Sequence, residues 1–162
     1  AKGFSFADSQ QVYAYGKIGI ATLKESSVKV ETLDDFLKPE VVKVAIANPD
    51  HAPFGLAAKQ ALESTGLWEQ IENKIIYGRN IADTLAFIET GNAETGIISR
   101  SLINEDQVNF YPIDESLYAP IGQAIAIMKG TKHQEAAYSF IKFIKGPIGK
   151  PIMEKYGFVV PN

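Results

Sequence analysis

Between residues 41 and 113, short apolar runs take turns with helix-length amphipathic stretches, and this alternation narrows the choice of fold more than any other feature. Residues 41–47 (VVKVAIA), 75–77, 94–99 and 108–113 are brief and mostly β-branched or aromatic, as strands are. Residues 54–64, with Leu56, Lys59, Gln60 and Glu63 at helical spacing, and 80–90, with Ile81, Leu85 and Ile88 on one face, read as helices, with Gly66 and Gly91 placed to stop them. Strands that alternate with helices are satisfied by an α/β fold, a mostly parallel sheet covered by helices. In such sheets ligands sit beyond the carboxyl ends of the strands, against helix N-termini.

Three segments fall at that location. They are Ala47-Asn48-Pro49-Asp50-His51-Ala52-Pro53-Phe54-Gly55 ahead of an Ala-rich helix, Gly78-Arg79-Asn80-Ile81-Ala82-Asp83 opening a second helix, and Gly96-Ile97-Ile98-Ser99 at a strand end. Peptide N–H groups in the first turn of a helix have no intrahelical partner, and the macrodipole is positive there. Two helix starts and a strand terminus facing one cleft make an uncharged trap for a small anion. Each residue also has an ordinary structural reading. Phe54 serves as an apolar staple, Asn80 as an N-cap, Ser99 as a turn hydroxyl, and Gly55 as a site of close helix packing.

Elsewhere, residues 12–23 read as one strand and 31–37 as a short helix capped by Thr32, with Asp34 and Asp35 in its first turn. Residues 68–73 and 101–106 read as short helical pieces and 121–128 as a strand. Residues 132–144 form an amphipathic helix with Ala136, Phe140, Phe143 and Ile144 on its apolar stripe, and 148–155 a last helix.

Composition removes several function classes. A formal charge of −3 and a pI near 5.4 argue against a nucleic-acid partner. Without cysteine there are no disulfides, thiolate metal sites or thiol nucleophiles. The two histidines, His51 and His133, have no third partner at metal-binding spacing, so no metal site is expected beyond an oxyanion guest. Asp50, His51 and Ser99 are the residue types of a hydrolytic triad, but adjacent Asp and His cannot present the relay geometry, and no nucleophile elbow, P-loop or dinucleotide fingerprint is present. The chain reads as a non-enzyme without a cofactor. No run is long and apolar enough to span a bilayer. Ala1-Lys2-Gly3 does not lead into a signal-like segment, so the chain reads as a processed product or a fragment.

Four stretches, in order and in register, carry a resemblance over essentially the whole chain: NPDHAPFGLAAKQALESTGLW, RNIADTLAFIETGNAETGII, SLYAPIGQAIAIMKG and AAYSFIKFIKGPIGKPIMEKYGF. Together they resemble the periplasmic molybdate-binding proteins of ABC transporters. The resemblance implies an α/β, type II periplasmic-binding-protein lobe, accompanied by a C-terminal remnant of the other lobe. Residues 1–21 would end lobe 1 and form the hinge strand, 22–120 would be the anion-binding lobe 2, and 121–162 the return strand and C-terminal helices of lobe 1. Hinges would lie near 15–22 and 118–122. The ligand implied is molybdate or tungstate, held by neutral donors without a counter-charge. By similarity, one ligand-contacting amide falls on Phe54, with Gly55 beside it, and a second falls on Ile81, after Asn80. A family hydroxyl, a Tyr in well-known members, falls on Ser99, and Tyr118 near the hinge is a further candidate. The family's N-terminal half-lobe, with its own Ser donors, has no counterpart here, so these residues would form one wall of a cleft. The isolated chain is expected to bind oxyanion weakly and to dimerise or exchange domains. The partner implied is a membrane ABC permease, and the location is periplasmic or extracellular and membrane-anchored. Alternatives are a lobe for sulfate, phosphate or a carboxylate, and a non-transport sensor on the same scaffold.

Overall fold

The computed structural model describes residues 3–161; Ala1 and Lys2, part of the segment tested for a leader, lie outside it. The chain divides into two compact units. One holds residues 17–121, and the other holds the flanking residues up to Gly16 and from Gly122 onward.

Strand β1 (Gln11–Gly16) belongs to the flanking unit, and β2 (Ile18–Leu23) to the central one. The single apolar run expected over 12–23 is therefore two strands in two sheets, broken at Lys17. The central unit continues with β3 (Val44–Ala47), α1 (Pro53–Ser64), α2 (Trp68–Ile71), β4 (Ile75–Gly78), α3 (Ile81–Glu89), β5 (Thr95–Ser99) and β6 (Val108–Pro112). Its five strands lie in the order β4-β3-β5-β2-β6. β3 is parallel to β4 and β5, while β2 is antiparallel to β5 and β6. Four of the five strands thus run one way, and β2 is inserted against them.

Burial on both faces explains the composition of the central strands. All four residues of β3 and all five of β5 are buried, so neither shows the apolar–polar alternation of a half-exposed strand. The pleat then sorts their side chains. Val44, Ile46, Ile18, Ile20 and Ile97 point into one core, with Ala57, Ala58, Ala61 and Leu62 of α1. Ala45, Ala21 and Ile98 point into the other, where Ile88 of α3 packs, flanked by Ile81 and Leu85. Phe36, fully buried in the first core, sits on a 3-10 turn (Leu33–Leu37). The Thr32 side chain and the Asp35 carboxylate close that turn reciprocally as a capping box. Residues 101–106 form only a short 3-10 turn, Arg100–Leu102. Gly66 and Gly91 take φ near +70°, as helix stops require.

In the flanking unit, β1 pairs with β7 (Ile121–Ile125) in a two-stranded sheet. α4 (Gln134–Lys145) and α5 (Gly149–Lys155) follow. Of the α4 apolar stripe, Phe140 and Phe143 are exposed, and Ile141 is the helix's buried residue. Two strands offer too little sheet to cover a full apolar helix face. Among the described residues no helix is long and apolar enough to cross a membrane.

Candidate functional site at the carboxyl edge of the central sheet

Since β3, β4 and β5 run the same way, Ala47, Gly78 and Ser99 end on the same edge of the sheet. The segments that follow these strands are bonded to one another. The Asn48 amide donates to the Gly78 carbonyl (2.9 Å), which extends the β3–β4 pairing by one step. His51 Nε2 lies 2.9 Å from the Arg79 carbonyl oxygen. Within the β3–α1 turn, Asn48 Oδ1 accepts from the Asp50 amide (2.9 Å) and the Asn48 carbonyl accepts from the Ala52 amide (2.9 Å).

The two helix starts are built differently. α3 is capped: the Asn80 side chain accepts from the Asp83 amide at 2.9 Å, and its carbonyl takes the Thr84 amide and hydroxyl. The amides of Ile81 and Ala82 precede that cap's reach and have no hydrogen-bond partner among the described residues. α1 has Pro at its first position and Ala52 at the N-cap, with no side-chain cap. The amides of Phe54 and Gly55 are accordingly unpartnered among the described residues. Four N–H groups from two linked helix starts remain available, each at the positive end of a dipole.

Gly55 has a packing reason to be glycine. A Cβ built there would stand 2.0 Å from the Ala47 carbonyl oxygen, so the first turn of α1 rests directly on the end of β3. Phe54 and Ile81 are half-buried, each packed on the core of its own face, which leaves their backbones as the polar groups on offer.

Ser99 is 1% exposed, with its hydroxyl 2.8 Å from Ser101 Oγ and accepting from the Ser101 amide. The two hydroxyls form a pair, and the half-buried Ser101 is the outer member. The Ser-x-Ser spacing was the signal available for Ser101. Tyr118 is buried in the α1-side core; its hydroxyl accepts, at 3.5 Å, from the amide of Ile18, which lies opposite Ser99 in the ladder. Burial raises the Tyr118 phenol above its ordinary pKa, so it is neutral and a donor as well. Gln60, on α1, accepts from the Ala119 amide (3.0 Å) and fixes this segment against the helix.

The cations at this edge are already paired. Arg79 Nε is 2.6 Å from Asp83 Oδ2, and that hydrogen bond raises the guanidinium above its ordinary pKa. Arg100 is bonded to Glu105 and lies over the Phe110 ring at 5.4 Å. Lys17 is 2.7 Å from Glu115. Among the described residues, the polar groups left without a partner at this edge are backbone amides, and its full cations are turned to carboxylates. The triad residue types are likewise engaged apart: Ser99 with Ser101, His51 with Arg79, and the Asp50 amide with Asn48. Among the described residues no group of three or more His, Cys, Asp or Glu is placed to hold a metal ion.

Comparison with known proteins agrees with the architecture. A family of bacterial extracellular solute-binding proteins matches residues 1–159. The molybdate-binding protein ModA of Rhodobacter capsulatus is 31% identical over 159 residues, which are 98% of this chain and 62% of that protein. ModA of Azotobacter vinelandii is 33% identical over 162 residues, 97% of this chain and 64% of that protein. The chain thus spans a little under two thirds of these relatives' length. Its fold matches the solved structure of the periplasmic molybdate-binding protein of Azotobacter vinelandii with a TM-score of 0.87 at 24% identity, covering 99% of this chain and 72% of that one.

Proposed function

This chain belongs to the bacterial extracellular solute-binding protein family, and from that premise we propose that it supplies an oxyanion-binding lobe of a periplasmic molybdate- or tungstate-binding protein serving an ABC importer. The lobe is the central unit, residues 17–121. One observation carries the reading: four unpartnered amides, of Phe54, Gly55, Ile81 and Ala82, at two helix starts bonded together through Asn48–Gly78 and His51–Arg79.

The guest would be a tetrahedral dianion held by the amides of Phe54 and Ile81, with Gly55 and Asn80 shaping the two turns. The Ser99–Ser101 pair and the Tyr118 hydroxyl are the further side-chain donors in this reading. Hydrogen bonds to a charged acceptor are about twice as strong as neutral ones. No counter-ion is then needed, and selectivity among dianions rests on cavity size. The relatives named for molybdate support that guest. The role is transport without chemistry, so no catalytic residue and no cofactor is assigned. A membrane ABC permease is the partner, and the periplasm or the outer face of a membrane is the location.

The exposed Phe140, Phe143, Ile148, Ile152 and Tyr156 of the flanking unit favour self-association of the isolated 162-residue chain. Titration calorimetry of the full-length protein with molybdate, tungstate and sulfate tests the function. The reading requires molybdate or tungstate to bind far more tightly than sulfate; equal affinities would remove the assignment of the guest.

A further inference from the structure

We propose that His51 is a positioning residue for anion capture: its imidazole locks the α1 start to the α3 start, so that two amide clusters address one guest. The inference rests on the oxyanion reading of this edge and extends it to a side chain that touches no ligand.

The α1 start is the one that needs such a device. It has no side-chain cap, whereas α3 is held by Asn80. A carbonyl oxygen only accepts, so His51 Nε2 must carry the proton in the 2.9 Å bond to Arg79, which fixes the tautomer. That bond joins residues 28 apart in sequence and lands two residues ahead of Ile81. It also feeds into the α3 cap. Arg79 is bonded to Asp83 through its side chain, and the Asp83 amide is the one that Asn80 caps. A displacement of the His51 turn is thereby passed to the first turn of α3. The backbone bond from Asn48 to Gly78 fixes the two strand ends, but it lies six residues before Phe54. His51 is the tie nearer the donors. The ring is exposed, so it adds little to the core, and its loss should be felt in ligand geometry more than in folding.

The test uses three variants of the full-length protein: His51→Ala, His51→Gln and His51→Glu. Glutamine places an N–H donor the same number of bonds from Cβ as the imidazole Nε2, whereas ionised glutamate has the same reach and no donor. Affinity for molybdate is measured by calorimetry and folding by thermal melting. The proposal predicts about a tenfold loss for the Ala and Glu variants, recovery to within about threefold for Gln, and melting temperatures close to wild type. A Gln variant as weak as Ala overturns it, as do three variants all within threefold of wild type. If the wild-type protein binds neither molybdate nor tungstate, the oxyanion reading fails as well; wild-type binding with unaffected variants sinks the His51 assignment alone.

Discussion

Gly55→Ala probes the junction where fold and site coincide. The added methyl carbon would lie 2.0 Å from the Ala47 carbonyl oxygen and 2.6 Å from its carbon, where real Cβ atoms essentially never come under 3.0 Å. Neither obstacle is a flexible side-chain end. Ala47 is fully buried, and its strand is held on both sides by β4 and β5. The α1 start must therefore retreat by about 1 Å or more, and overpacking of this kind costs about 1–3 kcal/mol. The same retreat would carry the amides of Phe54 and Gly55 away from the proposed guest. A hydrogen bond to a charged group contributes about 1.5–3 kcal/mol, so losing one such amide lowers affinity roughly 10- to 100-fold. The full-length variant would be measured by urea unfolding and by molybdate titration, with Gly91→Ala as a control. Gly91 lies in open space at φ +70°, so that substitution strains a helix stop remote from the site and should lower stability without weakening binding. Unchanged affinity in a folded Gly55→Ala protein would refute the placement of the α1 start at the ligand.

Replacing Arg100 by Ala should change molybdate affinity by no more than about threefold, because it is half-exposed and already paired with Glu105; a hundredfold loss on titration would restore a charge clamp. Asp35→Asn should lower stability at pH 7 by about 1 kcal/mol, through the capping bonds to the amides of Glu31 and Thr32. The Lys38 ammonium, 2.8 Å away, and those amides hold the Asp35 carboxyl well below the usual carboxylate range. A lowered folded-state pKa contributes stability above the ordinary value near 4 and loses it as pH falls. The gap between wild type and variant should therefore narrow on going from pH 7 to pH 3 in urea titrations, and a widening gap would contradict the assignment. The isolated 162-residue chain should sediment as an associating species, and Phe140→Ser with Phe143→Ser should return it to monomer; a monomeric parent chain would count against the apolar face as the cause.

The α/β alternation and most helix limits were readable because each rests on local signals, such as the four-residue run of β3, Asn80 as a cap, and Gly66 and Gly91 as stops. What local signals could not supply was partnership. Residues 12–23 read as one strand, but β1 pairs with β7 and β2 with β5 and β6, and the break between the two falls at Lys17. Residues 101–106 follow a strand and carry helix-compatible residues, yet after the Arg100–Leu102 turn the Asn104 carbonyl and side chain accept from the amides of Gln107, Val108 and Asp106, which favours a turn. At the site, Asn80 and the two free helix starts followed from position along the chain. The burial of Ser99 and the cross-link from His51 depend on which strands and loops meet, whereas the Ser99–Ser101 pair is local, two residues apart.

The central claim is that peptide dipoles, with no cation in contact, hold the guest at this edge. A crystal structure of the full-length protein with molybdate, the metal located by anomalous scattering, tests it most directly. The account predicts ligand oxygens within hydrogen-bonding distance of the Phe54 and Ile81 amide nitrogens, with Arg79 still on Asp83. Molybdate seated on lysine or arginine side chains, with those two amides turned to water, would contradict it.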